Sequence, residues 1–118
     1  MPKRILVIDD DPTLIKVIKP FLESQDYTVQ VATNGEEGIE EIRKQAPDLI
    51  VLDVQMPKMN GYTFIFELKK ISAVTIPIIV LTSKEGMAEI FKVEGVKEYI
   101  SKPFKPEVLL TAIKKHIE

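Results

Sequence analysis

Asp9 and Asp10, Asp53, Thr82 and Lys102 are the residues of this chain whose types could do chemistry together. Carboxylates gathered at one point repel, so a site holding three of them needs compensating positive charge. Lys102 supplies one unit; a hard divalent ion bound through oxygen supplies two. With no imidazole or thiolate beside them, these donors favour Mg²⁺ over zinc or copper. A carboxylate beside Mg²⁺, a lysine and a hydroxyl can attack phosphorus and form an acyl phosphate. The cations would spread the charge of the transferring group, and positioning would do most of the rest. No Ser-His-Asp arrangement and no Gly-rich phosphate loop competes with this reading. Taken singly, each residue has a plainer role: an acid as helix cap, a threonine as β-former, a lysine as solvated charge. The chemistry stands only if the fold brings them to one place.

The elements that would do so are legible. Arg4–Ile8 is a short apolar run rich in β-branched residues, ended by Asp9-Asp10-Asp11, and reads as a buried strand. Asp11-Pro12 opens a helix, with Asp11 as N-cap and Leu14, Val17, Ile18, Phe21 and Leu22 as its inner face. Tyr27–Val31 alternates like a strand. Asn34-Gly35 starts a second helix with Ile39 and Ile42 inward, closed by Ala46-Pro47. Leu49–Leu52 is a third strand ending in Asp53. A loop over Pro57–Gly61 precedes a helix using Phe64, Ile65, Leu68 and Ile71. Pro77–Leu81 is a fourth strand ending in Thr82-Ser83, and a helix over about Lys84–Glu94 stops at Gly95. Glu98–Ser101 is a short fifth strand ending in Lys102-Pro103. Pro106 opens the last helix, with Val108, Leu109, Ala112 and Ile113 inward.

Strand and helix thus alternate five times. Apolar strands joined by crossover helices imply an α/β fold, a parallel sheet with helices on both faces. In such sheets function gathers at the carboxyl ends of the strands. Those ends carry Asp9/Asp10, Asp53, Thr82 and Lys102.

With 118 residues the chain fits one domain, residues 1–118, able to bury a proper core. Sixteen basic against 18 acidic residues, a net charge of −2, give no electrostatic reason for direct nucleic-acid binding. The lysines of the second half read as a solvated face. Without cysteine there are no disulfides or thiolate metal sites. No apolar run reaches the length of a membrane span, and the start lacks a signal-peptide pattern, so cytoplasmic localisation is the expectation. The lone His116 reads as a surface residue.

Ile-Leu-Val-Ile-Asp9-Asp10-Asp11-Pro12, Leu-Ile-Val-Leu-Asp53 with Met56-Pro57 and Gly61, Val-Leu-Thr82-Ser83, and Tyr99-Ile-Ser-Lys102-Pro103-Phe104 together resemble a bacterial two-component response regulator receiver domain. The likeness is to the chemotaxis, stand-alone type and runs from about Lys3 to His116. It implies a flavodoxin-like (βα)5 fold with strand order 2-1-3-4-5. It implies Asp53 as phosphoacceptor, Asp10, Asp53 and the backbone carbonyl of Gln55 as Mg²⁺ ligands, and Asp9 acting through a bound water. Thr82 and Lys102 would contact phosphoryl oxygens, the Lys102–Pro103 bond would be cis, and Tyr99 would be the aromatic switch. The face of the fourth helix, fifth strand and last helix would then change for a partner. The resemblance implies a sensor histidine kinase or histidine phosphotransfer protein as donor, an unknown downstream effector, and a homodimer on phosphorylation as a further option. Such a domain promotes its own phosphorylation and dephosphorylation without being an enzyme toward other substrates.

Two departures stand out. Thr82–Gly95 is about two residues shorter than in the best-known stand-alone receiver, and Ile15 stands where many receivers have arginine. Ile15 reads either as marginal core or as an apolar contact for a kinase or phosphotransfer partner. Among rival readings, a flavodoxin-like binder fails because Asp9-Asp10-Asp11 would repel a flavin phosphate. A haloacid-dehalogenase-type phosphatase needs a second acid two residues after its nucleophile, where this chain has Gln55. A phosphorylation-independent receiver acting by protein contact alone stands against the intact set of five. The chain either works alone through partner binding or is one domain of a longer protein.

Overall fold

Residues 5–8 offer an uninterrupted apolar run, which suits a strand covered on both faces, and β1 (Arg4–Ile8) lies near the centre of a five-stranded sheet. The structure, a computed structural model, describes residues 2–53, 67, 68, 70, 76–82 and 96–117, with Thr82 described by its backbone alone. Within these, α1 (Pro12–Glu23), β2 (Thr28–Ala32), α2 (Gly35–Lys44), β3 (Leu49–Asp53), β4 (Ile78–Thr82), β5 (Val96–Ser101) and α3 (Pro106–Ile117) follow in order. The helices expected over residues 62–71 and 84–94 fall largely outside the described residues; Leu68, from the first of them, is buried.

The sheet order is β2-β1-β3-β4-β5, and every neighbouring pair is parallel. Because strand side chains alternate, the sheet has two apolar faces. One carries Leu6, Ile8, Ile50, Leu52, Ile78 and Val80 and packs with Ile39 and Ile42 of α2. The other carries Ile5, Val7, Leu49, Val51, Ile79 and Leu81 and packs with Ile18 and Leu22 of α1 and Leu109 and Ile113 of α3. Burying such a side chain stabilises by about 2 kcal/mol. This apolar register, more than any polar contact, holds the carboxyl ends of the strands at one level.

The caps explain how each strand turns back. Asp11 is in extended conformation and its side chain accepts from Thr13 N, with Pro12 opening α1. At α2, Asn34 Oδ1 accepts from Glu37 N at 2.9 Å, while Glu37 Oε1 reaches back to Thr33 N and Oγ1 at 2.8 Å.

Three expectations need correction. Val17 of α1 is 51% exposed and Val108 of α3 is 50% exposed, although both were placed on inner faces. Each sits beside the buried stripe, a turn of about 100° from its buried neighbour, Ile18 or Leu109, so the chain's 3.6-residue period carries it past the sheet. The third is the start of β5. It begins at Val96, not Glu98, and contains an extra residue: Val96 pairs with Ile78 and Glu98 with Ile79, leaving Lys97 without a partner on β4.

Candidate active site at the carboxyl ends of the strands

β1 delivers Asp9 to a position with no solvent exposure. Three contacts fix it there. Its backbone N–H donates to Ala32 O of β2 at 3.0 Å, its Oδ1 accepts from Asp11 N at 2.9 Å, and its Oδ2 accepts from Lys102 Nζ at 3.2 Å. The first ties the Asp9 backbone to β2 and the second ties its carboxylate to the start of α1, so the residue is placed by the elements on either side. Asp53, the last residue of β3, is also buried, and its Oδ2 lies 3.4 Å from Lys102 Nζ. Asp10 is exposed, and Asp9, Asp10 and Asp53 each offer an oxygen within 4.8 Å of the others.

Lys102 comes from the turn that ends β5, next to the cis Lys102–Pro103 bond. Burial by itself would lower the affinity of its amine for a proton. The charges of Asp53 and Asp9, with their hydrogen bonds, outweigh that effect and hold the ammonium above the ordinary lysine range. The lysine is therefore a fixed cation shared between two buried carboxylates.

Among the described residues, one cation faces three carboxylates here: with all ionised, 3 − 1 leaves two negative charges. Buried charge of this kind is costly unless it is paired. The donor set is all oxygen, partly open to solvent through Asp10, and matches a hard divalent ion that keeps some of its waters. An exposed acidic group alone would carry no such implication. Here two of the three acids are buried and already share a lysine.

Of the residues expected at the site, the structure thus brings together Asp9, Asp10, Asp53 and Lys102. The backbone of Thr82 closes β4 one residue beyond Leu81, the partner of Asp53 in the ladder, and pairs with Ser101 beside Lys102. Gln55 lies outside the described residues. Tyr99 pairs with Val80 and packs, half-buried, against the core layer of Leu52 and Val80, on the sheet face opposite α3. Ile15 is half-buried.

Among the described residues, two grooves flank the lysine turn. A smaller one, about 410 Å³, is lined by Asp11, Leu14, Lys102, Pro103 and Phe104 and opens beside the ammonium. A larger one, about 740 Å³, runs between β5 and α3 past Tyr99, Phe104 and Val108. Sequence reasoning missed a third feature. His116 is not a free surface residue: its side chain is 18% exposed and its Nε2 lies 3.2 Å from Glu98 Oε1, which also accepts from Lys115 Nζ at 3.2 Å. These partners are far apart in the chain, and no local pattern announces them.

The response regulator receiver domain family matches residues 5–114 of this chain. The protein PilH of Pseudomonas aeruginosa is 34% identical, over 93% of each chain. The sensor histidine kinase CheAY of Helicobacter pylori is 39% identical over 97% of this chain, which spans 15% of that protein. The chain spans about half the length of several transcriptional regulators it also matches. Among solved structures, the receiver domain of a sensor histidine kinase from Pseudomonas aeruginosa superposes with a TM-score of 0.88 at 28% identity, over 99% of this chain and 98% of the other. That structure has a magnesium ion coordinated in its active site cleft.

Proposed function

The chain belongs to the response regulator receiver domain family, and from that premise we propose that residues 1–118 form a phosphoacceptor unit in which Asp53 takes the phosphoryl group. The observation that carries this reading is the shared lysine: Lys102 Nζ stands 3.4 Å from Asp53 and 3.2 Å from Asp9, both buried, with Asp10 open to solvent alongside.

Asp9, Asp10 and Asp53 would hold Mg²⁺, with the Gln55 carbonyl as the further ligand the family implies. When bound, the metal supplies the positive charge that the carboxylate cluster lacks and that a transferring phosphoryl group requires. This chain's own residues do the rest. Asp53, held at the end of β3, directs a carboxylate oxygen at phosphorus; a new P–O bond forms as the donor's bond to phosphorus breaks. With a phosphohistidine donor that bond is P–N, and the leaving imidazole keeps the electron pair and takes a proton. Lys102, already a fixed cation, pairs with a phosphoryl oxygen. Thr82, at the neighbouring strand end, would contribute its hydroxyl to another, and Asp9 keeps Lys102 placed while its carboxylate would help to hold the ion.

The donor is a sensor histidine kinase or histidine phosphotransfer protein, and the domain works in the cytoplasm. The Asp11, Leu14 and Phe104 groove beside Lys102 is where such a donor would approach. Transmission outward goes through Tyr99 and the β5–α3 side. The domain is a signalling module that assists its own phosphorylation and dephosphorylation rather than turning over another substrate.

Incubation with acetyl phosphate and Mg²⁺, followed by intact-mass measurement, tests the proposal. One phosphoryl group should be gained, and neither Asp53→Asn nor the wild type in EDTA should gain it. Equal labelling of Asp53→Asn would remove Asp53 from its role.

A further inference from the structure

Of the three acids that follow β1, Asp11 is the one the phosphoryl chemistry leaves unused. Asp9, Asp10 and Asp53 bring their oxygens within 4.8 Å of one another, and Asp11 does not belong to that cluster. Instead it lines the 410 Å³ groove with Leu14, Lys102, Pro103 and Phe104.

A single buried carboxylate places both charged residues of this groove. Asp9 Oδ1 accepts from Asp11 N at 2.9 Å, and Asp9 Oδ2 accepts from Lys102 Nζ at 3.2 Å. The Asp11 side chain is held as well: its Oδ1 accepts from Thr13 N at 3.0 Å and caps α1. Among the described residues no other group bonds to that carboxylate, so its second oxygen keeps its full capacity to accept. The groove thus presents a placed anion, a placed cation, and apolar surface from Leu14, Pro103 and Phe104.

Such a lining sorts phosphoryl donors by their leaving groups. A phosphorylated imidazole has a flat ring with apolar faces, suited to the apolar part of the groove. When the ring nitrogen that does not carry phosphorus is protonated, it presents an N–H to an acceptor. As Asp53 attacks and the new P–O bond forms, the P–N bond breaks and its electron pair stays on the ring nitrogen that carried phosphorus. The proton that the leaving imidazole needs is already on the other nitrogen, so the ring departs neutral and Asp11 takes up no proton. Acetyl phosphate differs in kind. Its P–O bond breaks with the pair on oxygen, and the acetate that leaves is an anion with no N–H, repelled by the charge of Asp11.

We propose that Asp11 selects the donor: its second carboxylate oxygen accepts from the N–H of a phosphoimidazole leaving group, while Lys102 takes a phosphoryl oxygen, and its charge disfavours donors that release an anion. Asp11 is then a specificity residue for the transfer to Asp53, and the inference rests on Asp53 being the phosphoacceptor.

Initial rates of Asp53 modification by phosphoimidazole and by acetyl phosphate, with Mg²⁺ and read by intact mass, test it. The proteins are wild type, Asp11→Asn, Asp11→Ser and Asp26→Asn. Asparagine and serine cap helices as aspartate does, so α1 keeps its start while the second carboxylate oxygen and its charge are lost. Asp26 lies between α1 and the amino end of β2, on the rim of the sheet opposite the site, and controls for net charge. Its φ of 70° is one that asparagine accepts. The ratio of the phosphoimidazole rate to the acetyl phosphate rate should fall about fivefold in both Asp11 variants at low salt, and the difference from wild type should narrow as salt is raised. Asp26→Asn should keep the wild-type ratio. An unchanged ratio in the Asp11 variants, or an equal fall in Asp26→Asn, would overturn the role of Asp11 while both donors still modify Asp53. If neither donor modifies Asp53 in any of the four proteins, the phosphoacceptor reading itself falls.

Discussion

At Lys102, burial and charge oppose each other, and charge wins. An ammonium beside two buried carboxylates stabilises them only while it stays protonated. Its proton affinity is raised above the ordinary lysine value of 10.5, so its contribution is fully present below that value and is lost as pH rises through the raised one. Lys102→Met should lower metal-free stability by about 3 kcal/mol, because Asp9 and Asp53 are left without their cation. The deficit against wild type, measured by urea denaturation, should be constant from neutral pH upward and shrink only above about pH 10.5. A deficit already vanishing near pH 8 would mean that the lysine is not held by these acids. Mg²⁺ should recover much of the loss in the variant, since the ion and the ammonium answer the same carboxylates. At this scale the chain was easy to read. Asp9 and Asp53 end apolar runs, Asp10 follows Asp9 and Lys102 follows the short fifth strand, and their convergence follows once the strands are parallel. His116 was misread because its partner Glu98 is supplied by a different element.

The elements were legible where local chemistry decides them. Asp11-Pro12 and Asn34-Gly35 start helices because a side-chain oxygen meets a backbone N–H two or three residues on, a contact contained in the sequence itself. The bulge at Lys97 depends on the register against Ile78 and Ile79, and nothing within β5 records it. Val17 and Val108 lie beside the buried stripes, where helical periodicity sets the centre of a face better than its width. Strand order came from the family likeness and not from periodicity, and the sheet agrees with it. How the signal leaves the site is a question of elements too. Thr82 ends β4 and Lys102 follows β5, so one phosphoryl group can draw on both strand ends. Beryllofluoride with Mg²⁺ should shift the amide resonances of Val96–Ser101 as well as those around Asp53. Thr82→Ala should keep the second set of shifts and lose most of the first. Binding without any response in β5 would make the domain a phosphoryl carrier lacking this switch.

Across the whole molecule, the carboxylate cluster sets stability against function. The apolar layers on both faces of the sheet hold Asp9 and Asp53 close to each other and to Asp10, where carboxylates repel. Mg²⁺ at about 100 times its dissociation constant should therefore stabilise the fold by about 2.7 kcal/mol, seen as a rise in melting temperature. Asp10→Asn should be more stable than wild type in EDTA and should lose the rise, whereas an undiminished Mg²⁺ response would put the ion elsewhere. The central claim, that the phosphoryl group is carried on Asp53, is met most directly by trapping the linkage. An acyl phosphate is reduced by borohydride to the alcohol, so a phosphorylated aspartate becomes homoserine and can be located by peptide mass mapping. After acetyl phosphate and Mg²⁺, the account predicts homoserine at position 53 alone, and its appearance at position 9 or 10, or at no position despite the gain of a phosphoryl group, would contradict it.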